Sequence, residues 1–211
     1  MDGARAVSGA VSPSSRIPEP IPEEERLRAD MYGMLARVLA APPDAALLSA
    51  LNRLFGDESE LGAAVRDLAH KAGMTTVAAV AREYHDLFIG LGRGELLPYA
   101  SYYLTGFLHE KPLADLRSAL AKLGVERAAA VKEPEDHIAA LCEVMAGLIV
   151  GTFGAPAPVA QQRELFDGFI TPWAERFFRD LETAQSAYLY AAVGRVGRLF
   201  LHIEQTAFAI A

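Results

Sequence analysis

The chain has 211 residues, 52% of them hydrophobic, and a formal net charge of -7. That is enough apolar material to bury a substantial core, as one large domain or two small ones. The acidic balance argues against a nucleic-acid binder, which concentrates Lys and Arg for phosphate contacts, and favours a basic partner.

Residues 1–21 are rich in Ser, Pro, Ala and Gly and show no periodicity, which predicts a disordered arm. The first fifteen residues lack the apolar core of a secretory signal, and no apolar run approaches the roughly 20 residues that cross a bilayer. The expectation is a cytoplasmic protein without membrane insertion. Order should begin at Pro22. Leu27, Met31, Met34, Leu35 and Val38 predict a first helix, stopped by Pro42 and Pro43. Leu47, Leu48, Leu51, Leu54 and Phe55 predict a second. Leu61, Val65 and Leu68 predict a third, ending near Gly73.

Thr75 or Thr76 should cap a fourth helix, whose stripe is Val77, Val80, Tyr84, Leu87, Phe88 and Leu91. A glycine-rich loop follows, then Leu97-Pro98-Tyr99 and a short aromatic helix within 101–109. Pro112 opens a helix with Leu113, Leu116, Leu120 and Leu123 inward and Gly124 at its end. Residues 125–132 form a connector and candidate hinge.

Glu133 to Ile149 then predicts the strongest amphipathic helix. Pro134 suits its first position, and Glu133, Glu135 and Asp136 suit its positive dipole end. Ile138, Leu141, Cys142, Met145, Leu148 and Ile149 share one stripe. Cys142 is the only cysteine, so it has no internal disulfide partner and reads as a buried, inert thiol in a reducing compartment. A proline–glycine linker spans 151–159. Leu165, Phe166, Phe169 and Ile170 begin a helix that Pro172 must break or kink, and Trp173, Phe177, Phe178 and Leu181 continue its face. The last helix should run from about Ala184 to Ala209, with Leu189, Val193, Val196, Phe200 and Ile203 inward. No period-two alternation is sustained anywhere. The predicted architecture is a single all-α globular domain over 22–211, of about nine to eleven helices.

Three constellations invite a functional reading. Gly90-Leu91-Gly92-Arg93-Gly94 is glycine-rich, but it follows a helix where a dinucleotide fingerprint needs a strand, so a joint is favoured over phosphate binding by backbone N–H groups. Glu133, Glu135, Asp136 and His137 are metal-ligand types, yet Pro134 stands three residues before His137, where di-iron bundles carry Glu. Helical neighbours also diverge too far for Asp136 and His137 to act as a catalytic pair. On spacing alone, a helix start stabilised by acids, with His137 bonded to a neighbouring loop, is favoured over a binding site. Tyr84, Leu87 and Phe88, with Tyr99, Tyr102 and Tyr103, read as core or as a wet-edged groove for an apolar peptide.

Three motifs, taken together, resemble the TorD-like family of redox-enzyme maturation chaperones: Tyr84-His85-Asp86-Leu87-Phe88-Ile89-Gly90, Leu97-Pro98-Tyr99-Ala100-Ser101-Tyr102-Tyr103-Leu104 and Glu133-Pro134-Glu135-Asp136-His137-Ile138. They come in the family's order and at about its spacing, and the likeness spans roughly residues 25 to 205. The resemblance implies an all-helical chaperone without enzymatic activity or cofactor. Its partners would be the catalytic subunit of a molybdenum-cofactor oxidoreductase and that subunit's twin-arginine signal peptide, held until the cofactor is inserted. The resemblance implies that Tyr84, Leu87, Phe88, Pro98 and Tyr99 line the apolar part of the peptide site and that Asp136 and His137 lie at its polar end. Ser101, Tyr102 and Glu133 join them as peptide-binding residues, and no residue is expected to be catalytic or to bind metal. Weak guanine-nucleotide binding and a monomer or domain-swapped dimer also belong to the family. Tyrosine at 84 and 99, where some relatives carry tryptophan, departs from its pattern. Gly92-Arg93-Gly94-Glu95-Leu96-Leu97-Pro98 looks most like members found beside formate dehydrogenases. The alternative is a helical enzyme or small-ligand carrier built on Asp136 and His137.

Overall fold

A computed structural model of the chain describes residues 21–126 and 133–210. The expected arm lies, except for Ile21, outside the described residues, and so does most of the connector at 125–132. Among the described residues there are ten α-helices, two π-helical turns and no strand. The helices are α1 (Glu23–Ala40), α2 (Ala45–Asn52), α3 (Glu60–Met74), α4 (Val77–Tyr84), α5 (Ala100–Thr105), α6 (Lys111–Lys122), α7 (Ile138–Val150), α8 (Val159–Leu165), α9 (Ala174–Glu182) and α10 (Leu189–Ile210). None of them is long and apolar enough to cross a membrane.

Local chemistry sets most boundaries. The side chains of Asp44, Ser59 and Thr76 accept from the backbone N–H of Leu47, Gly62 and Ala79, capping α2, α3 and α4. Pro112 sits in the first turn of α6. Pro172 ends the helix before it, as its missing N–H requires. α8 passes into a π-helical turn at Phe166–Ile170, a turn follows, and α9 starts at Ala174.

α7 lies at the centre, buried on nearly every side from Ile138 to Ile149. A helix this apolar all round belongs inside a globule. α1 packs along α7, while α10 packs on α9 and α3. Glycine lets α9 and α10 meet closely: a Cβ at Gly197 would fall within 2.3 Å of the Phe178 ring, and one at Gly194 within 2.5 Å of the Glu182 backbone.

Several expected faces are rotated or trimmed. α1 buries Tyr32, Leu35, Ala36, Val38 and Leu39, and leaves Leu27 exposed. The α2 stripe stops at Leu51, because the chain turns at Arg53; Leu54 and Phe55 stand outside it. Val77 and Leu91 face solvent at the ends of the fourth stripe, and Ile203 does so on α10. The last helix begins at Leu189, five residues later than expected. The largest correction concerns α7. Glu133 to Asp136 precede the helix, and Pro134 instead starts a turn in which the His137 N–H donates to its carbonyl at 3.1 Å.

Buried polar groups tie distant segments together. The Arg28 guanidinium makes two 2.8 Å bonds to the Glu204 carboxylate, which also accepts from the Tyr32 hydroxyl. Glu83 accepts from the N–H groups of Tyr188 and Tyr190, both at 2.7 Å, satisfying donors at the start of α10.

Candidate functional site

The site forms where α5 and α7 begin. Two short extended stretches meet there as an isolated antiparallel bridge between Tyr99 and His137. The Ile138 N–H donates to the Pro98 carbonyl at 2.9 Å, and the Ala100 N–H donates to the Asp136 carbonyl at 3.0 Å. α5 has no side-chain cap of its own. The Asp136 carboxylate supplies one from across the bridge: its Oδ2 accepts the Ser101 N–H at 2.9 Å. This places a negative group at the positive end of α5.

His137 caps α7 itself, with Nδ1 accepting the Ala139 N–H at 3.1 Å. Its proton, when neutral, therefore sits on Nε2. Burial lowers its pKa to about 4, against the opposing charges of Glu133 and Asp136. The ring lies edge-on to Tyr99, with centroids 5.0 Å apart. The Tyr99 hydroxyl donates to Glu133 at 2.6 Å, and burial together with Glu133 holds its pKa above the usual range. Glu135 pairs with Arg117 at 2.8 Å.

A cavity of about 280 Å³ opens here, lined by Tyr99, Ser101, Leu108, His109, Glu133, Pro134 and Asp136. Two buried oxygens in its lining have no hydrogen-bond partner: Asp136 Oδ1 and Ser101 Oγ. Both residues are essentially sealed, Asp136 at 0% and Ser101 at 1% exposure. A buried carboxylate oxygen is costly to leave without a donor, so this oxygen calls for a donating partner, a water molecule or a ligand group. His109 on the rim holds φ at 62°, in the left-handed region that is uncommon for non-glycine residues but open to histidine. The lining combines two carboxylates, a serine hydroxyl and a tyrosine ring. It suits a guanidinium or ammonium group.

Of the ten residues singled out in sequence, the structure brings Tyr99, Ser101, Glu133 and Asp136 to this cavity, with His137 behind Tyr99. Pro98 is buried and contributes its carbonyl to the bridge. Tyr84, Leu87 and Phe88 do not line the cavity; Tyr84 and Phe88 are half-buried against the core, and burial together with the nearby Glu133 charge raises the Tyr84 pKa. Leu87 is fully enclosed. Tyr84 and Phe88 pack on Tyr190, and the Tyr84 hydroxyl donates to the Ala40 carbonyl at the end of α1. Tyr102 lies outside the cavity, under the Arg93 guanidinium, which also donates to its hydroxyl. Sequence reading overlooked His109 and Leu108, because a loop residue carries no periodicity to mark it. Pro134 was noticed as a helix starter and within the third motif, but not as a wall of a cavity.

The glycine-rich loop is folded back on a π-helical turn at His85–Ile89. The N–H groups of Gly90, Glu95 and Leu96 donate to His85, Asp86 and Leu87, and the Glu95 carboxylate accepts from Gln185 and Ser186. Those amides are therefore engaged within the protein. Among the described residues, no three His, Cys, Asp or Glu side chains gather as a metal-holding group. The Cys142 thiol is fully buried, which raises its pKa to about 12.

A family profile described as "Nitrate reductase delta subunit" matches residues 56–179, more than half of the chain. The chaperone protein TorD of Aliivibrio salmonicida is 30% identical over 130 residues, covering 58% of this chain and 60% of the relative. TorD of Aliivibrio fischeri is 31% identical over the same shares. TorD of Vibrio vulnificus is 27% identical over 146 residues, 68% of this chain and 59% of the relative. The matches thus span about three fifths of the length of these relatives. A crystal structure described as that of a redox enzyme maturation protein from Archaeoglobus fulgidus superposes with a TM-score of 0.53 at 20% identity, over 89% of this chain and 99% of the other. That likeness shows the fold. With the family profile over more than half its length, the chain belongs to the TorD-like family of redox-enzyme maturation chaperones.

Proposed function

We propose that this protein is a cytoplasmic maturation chaperone. It holds the twin-arginine signal peptide, or the apo form, of a molybdenum-cofactor oxidoreductase's catalytic subunit until the cofactor is inserted and export follows. The supporting observation is the unpartnered, buried Asp136 oxygen in the α5–α7 cavity. A guanidinium from the leader would lie beside Tyr99 and Glu133 at the mouth, and would reach the sealed Asp136 Oδ1 by displacing the side chains that cover it. The net charge of -7 steers a basic leader toward the protein. Holding and release need no bond-making chemistry, so no resident cofactor enters this reading. The segment Gly92 to Pro98 favours a formate dehydrogenase as client. Neither a nucleotide nor a dimer is required.

The test is calorimetry with a synthetic leader carrying Arg-Arg and its Ala-Ala counterpart. Binding of the first and at least tenfold weaker binding of the second supports the proposal. Equal affinity for both refutes the cavity as the arginine site. Stoichiometric metal in the purified protein would move the weight to a small-ligand enzyme at the same place.

A further inference from the structure

The α5–α7 cavity, at about 280 Å³, has space for a basic group but not for the apolar stretch that follows the basic end of a leader. Of the residues expected to take that stretch, Leu87 is fully enclosed, and Tyr84 and Phe88 pack one face each on Tyr190. A second and larger cavity, of about 590 Å³, lies in the groove between α1, α2 and α7. Its α1 side is a row of small residues, Ala29, Gly33, Ala36 and Ala40, one or two helical turns apart, and Leu47 and Leu51 of α2 form a wall. Small side chains let the backbone of a guest helix approach closely, and an apolar trough between helices is a recurring seat for an apolar helix.

We infer that this groove docks the apolar helical segment of the same leader whose arginine enters the Asp136 cavity; the inference rests on the function proposed above. Position supports it. Asp136 stands just before α7, while Glu143 and Ala146 of α7 line the groove. At about 1.5 Å per residue, Ile138 and Ala146 are about 12 Å apart. An apolar segment of about 7–15 residues covers such a distance as a helix. Charge selects the occupant. Asp30 and Glu143 outnumber Arg37 among the lining residues, which suits a segment flanked by basic residues. Residues 1–20 of this chain carry Asp2 and Glu19 against Arg5 and Arg16, so they bring no net positive charge, and they include three prolines; a second copy would bring a net charge of -7.

Gly33→Leu fills the groove without crowding the core, because a Cβ at Gly33 meets nothing within 4 Å. It also replaces a poor helix former with a good one, so the fold should hold. Ala50→Leu blocks the groove from α2 as a second variant, and Gly33→Ala is the open control. The probes are a synthetic leader with Arg-Arg followed by about twelve Leu and Ala residues, and the same peptide cut after its basic end. Both blocking variants should bind the long peptide at least tenfold more weakly than wild type and the short one within twofold. The Ala control should match wild type. Equal affinity of wild type and both blocked variants for the long peptide overturns the groove while leaving the Asp136 site standing. A wild-type protein that binds neither peptide overturns both. Loss of the blocking effect after deletion of residues 1–20, or a change in molar mass on blocking, would assign the groove to the arm or to a second copy and overturn the inference.

Discussion

Asp136→Asn separates the two roles of this side chain. In the wild type, Oδ2 accepts the Ser101 N–H at 2.9 Å and Oδ1 has no partner. An asparagine keeps an acceptor for Ser101 and turns its NH₂ toward the cavity, where the leader's guanidinium would meet a donor instead of an acceptor. A hydrogen bond to a charged group contributes about 1.5–3 kcal/mol, which is about 10- to 150-fold in affinity. The fold should lose no more than about 1 kcal/mol, since the α5 cap survives. Asp136→Ala removes the cap as well and should cost about 1–3 kcal/mol of stability through the stranded Ser101 N–H. The assay is calorimetry with an Arg-Arg leader beside denaturant unfolding of each variant. Wild-type binding should weaken as salt rises, and the Asn variant should respond less. An Asn variant with unchanged stability and unchanged affinity would refute the arginine assignment.

Burial holds the His137 pKa near 4, below its ordinary 6.5. The unfolded chain therefore binds the extra proton first. Stability is full above pH 6.5 and falls as pH drops toward 4, by about 3 kcal/mol. An NMR titration of the His137 ring with a midpoint near 6.5 would contradict this. Tyr84→Phe removes a hydroxyl that donates to the Ala40 carbonyl at 3.2 Å. It should cost about 0.5–1.5 kcal/mol by thermal melting and leave leader affinity within about twofold. Gly197→Val drives a side chain into the Phe178 ring and should destabilise by about 1–3 kcal/mol or more; a melt matching wild type would show that α9 and α10 can separate freely.

Periodicity made the helices legible. The α3 stripe of Val65 and Leu68, the stop at Pro42 and Pro43, the Thr76 cap and the break at Pro172 all follow from spacing and from missing or supplied hydrogen-bond partners. The three motifs were enough to identify the family. Orientation was harder, since a stripe tells which residues share a face, not which neighbour covers it. Leu27 and Ile203 look as apolar in sequence as Leu35 and Val196, yet only the latter pair meets another helix.

The cavity was only partly legible in sequence for a related reason. Glu133, Asp136 and Tyr99 were visible as types, and Pro134 with three acids made a helix start look complete on local grounds. By itself, then, the amino-acid order determined an all-helical fold, its breakpoints and an acidic, tyrosine-bearing region. Only the tertiary structure decided that the Asp136 carboxylate leaves its own helix to cap α5, 35 residues back along the chain, and keeps one oxygen without a donor. Local propensity compares alternatives within a few residues. A buried charge is settled by whichever donors the folded chain brings within hydrogen-bonding distance, however far away they lie in sequence.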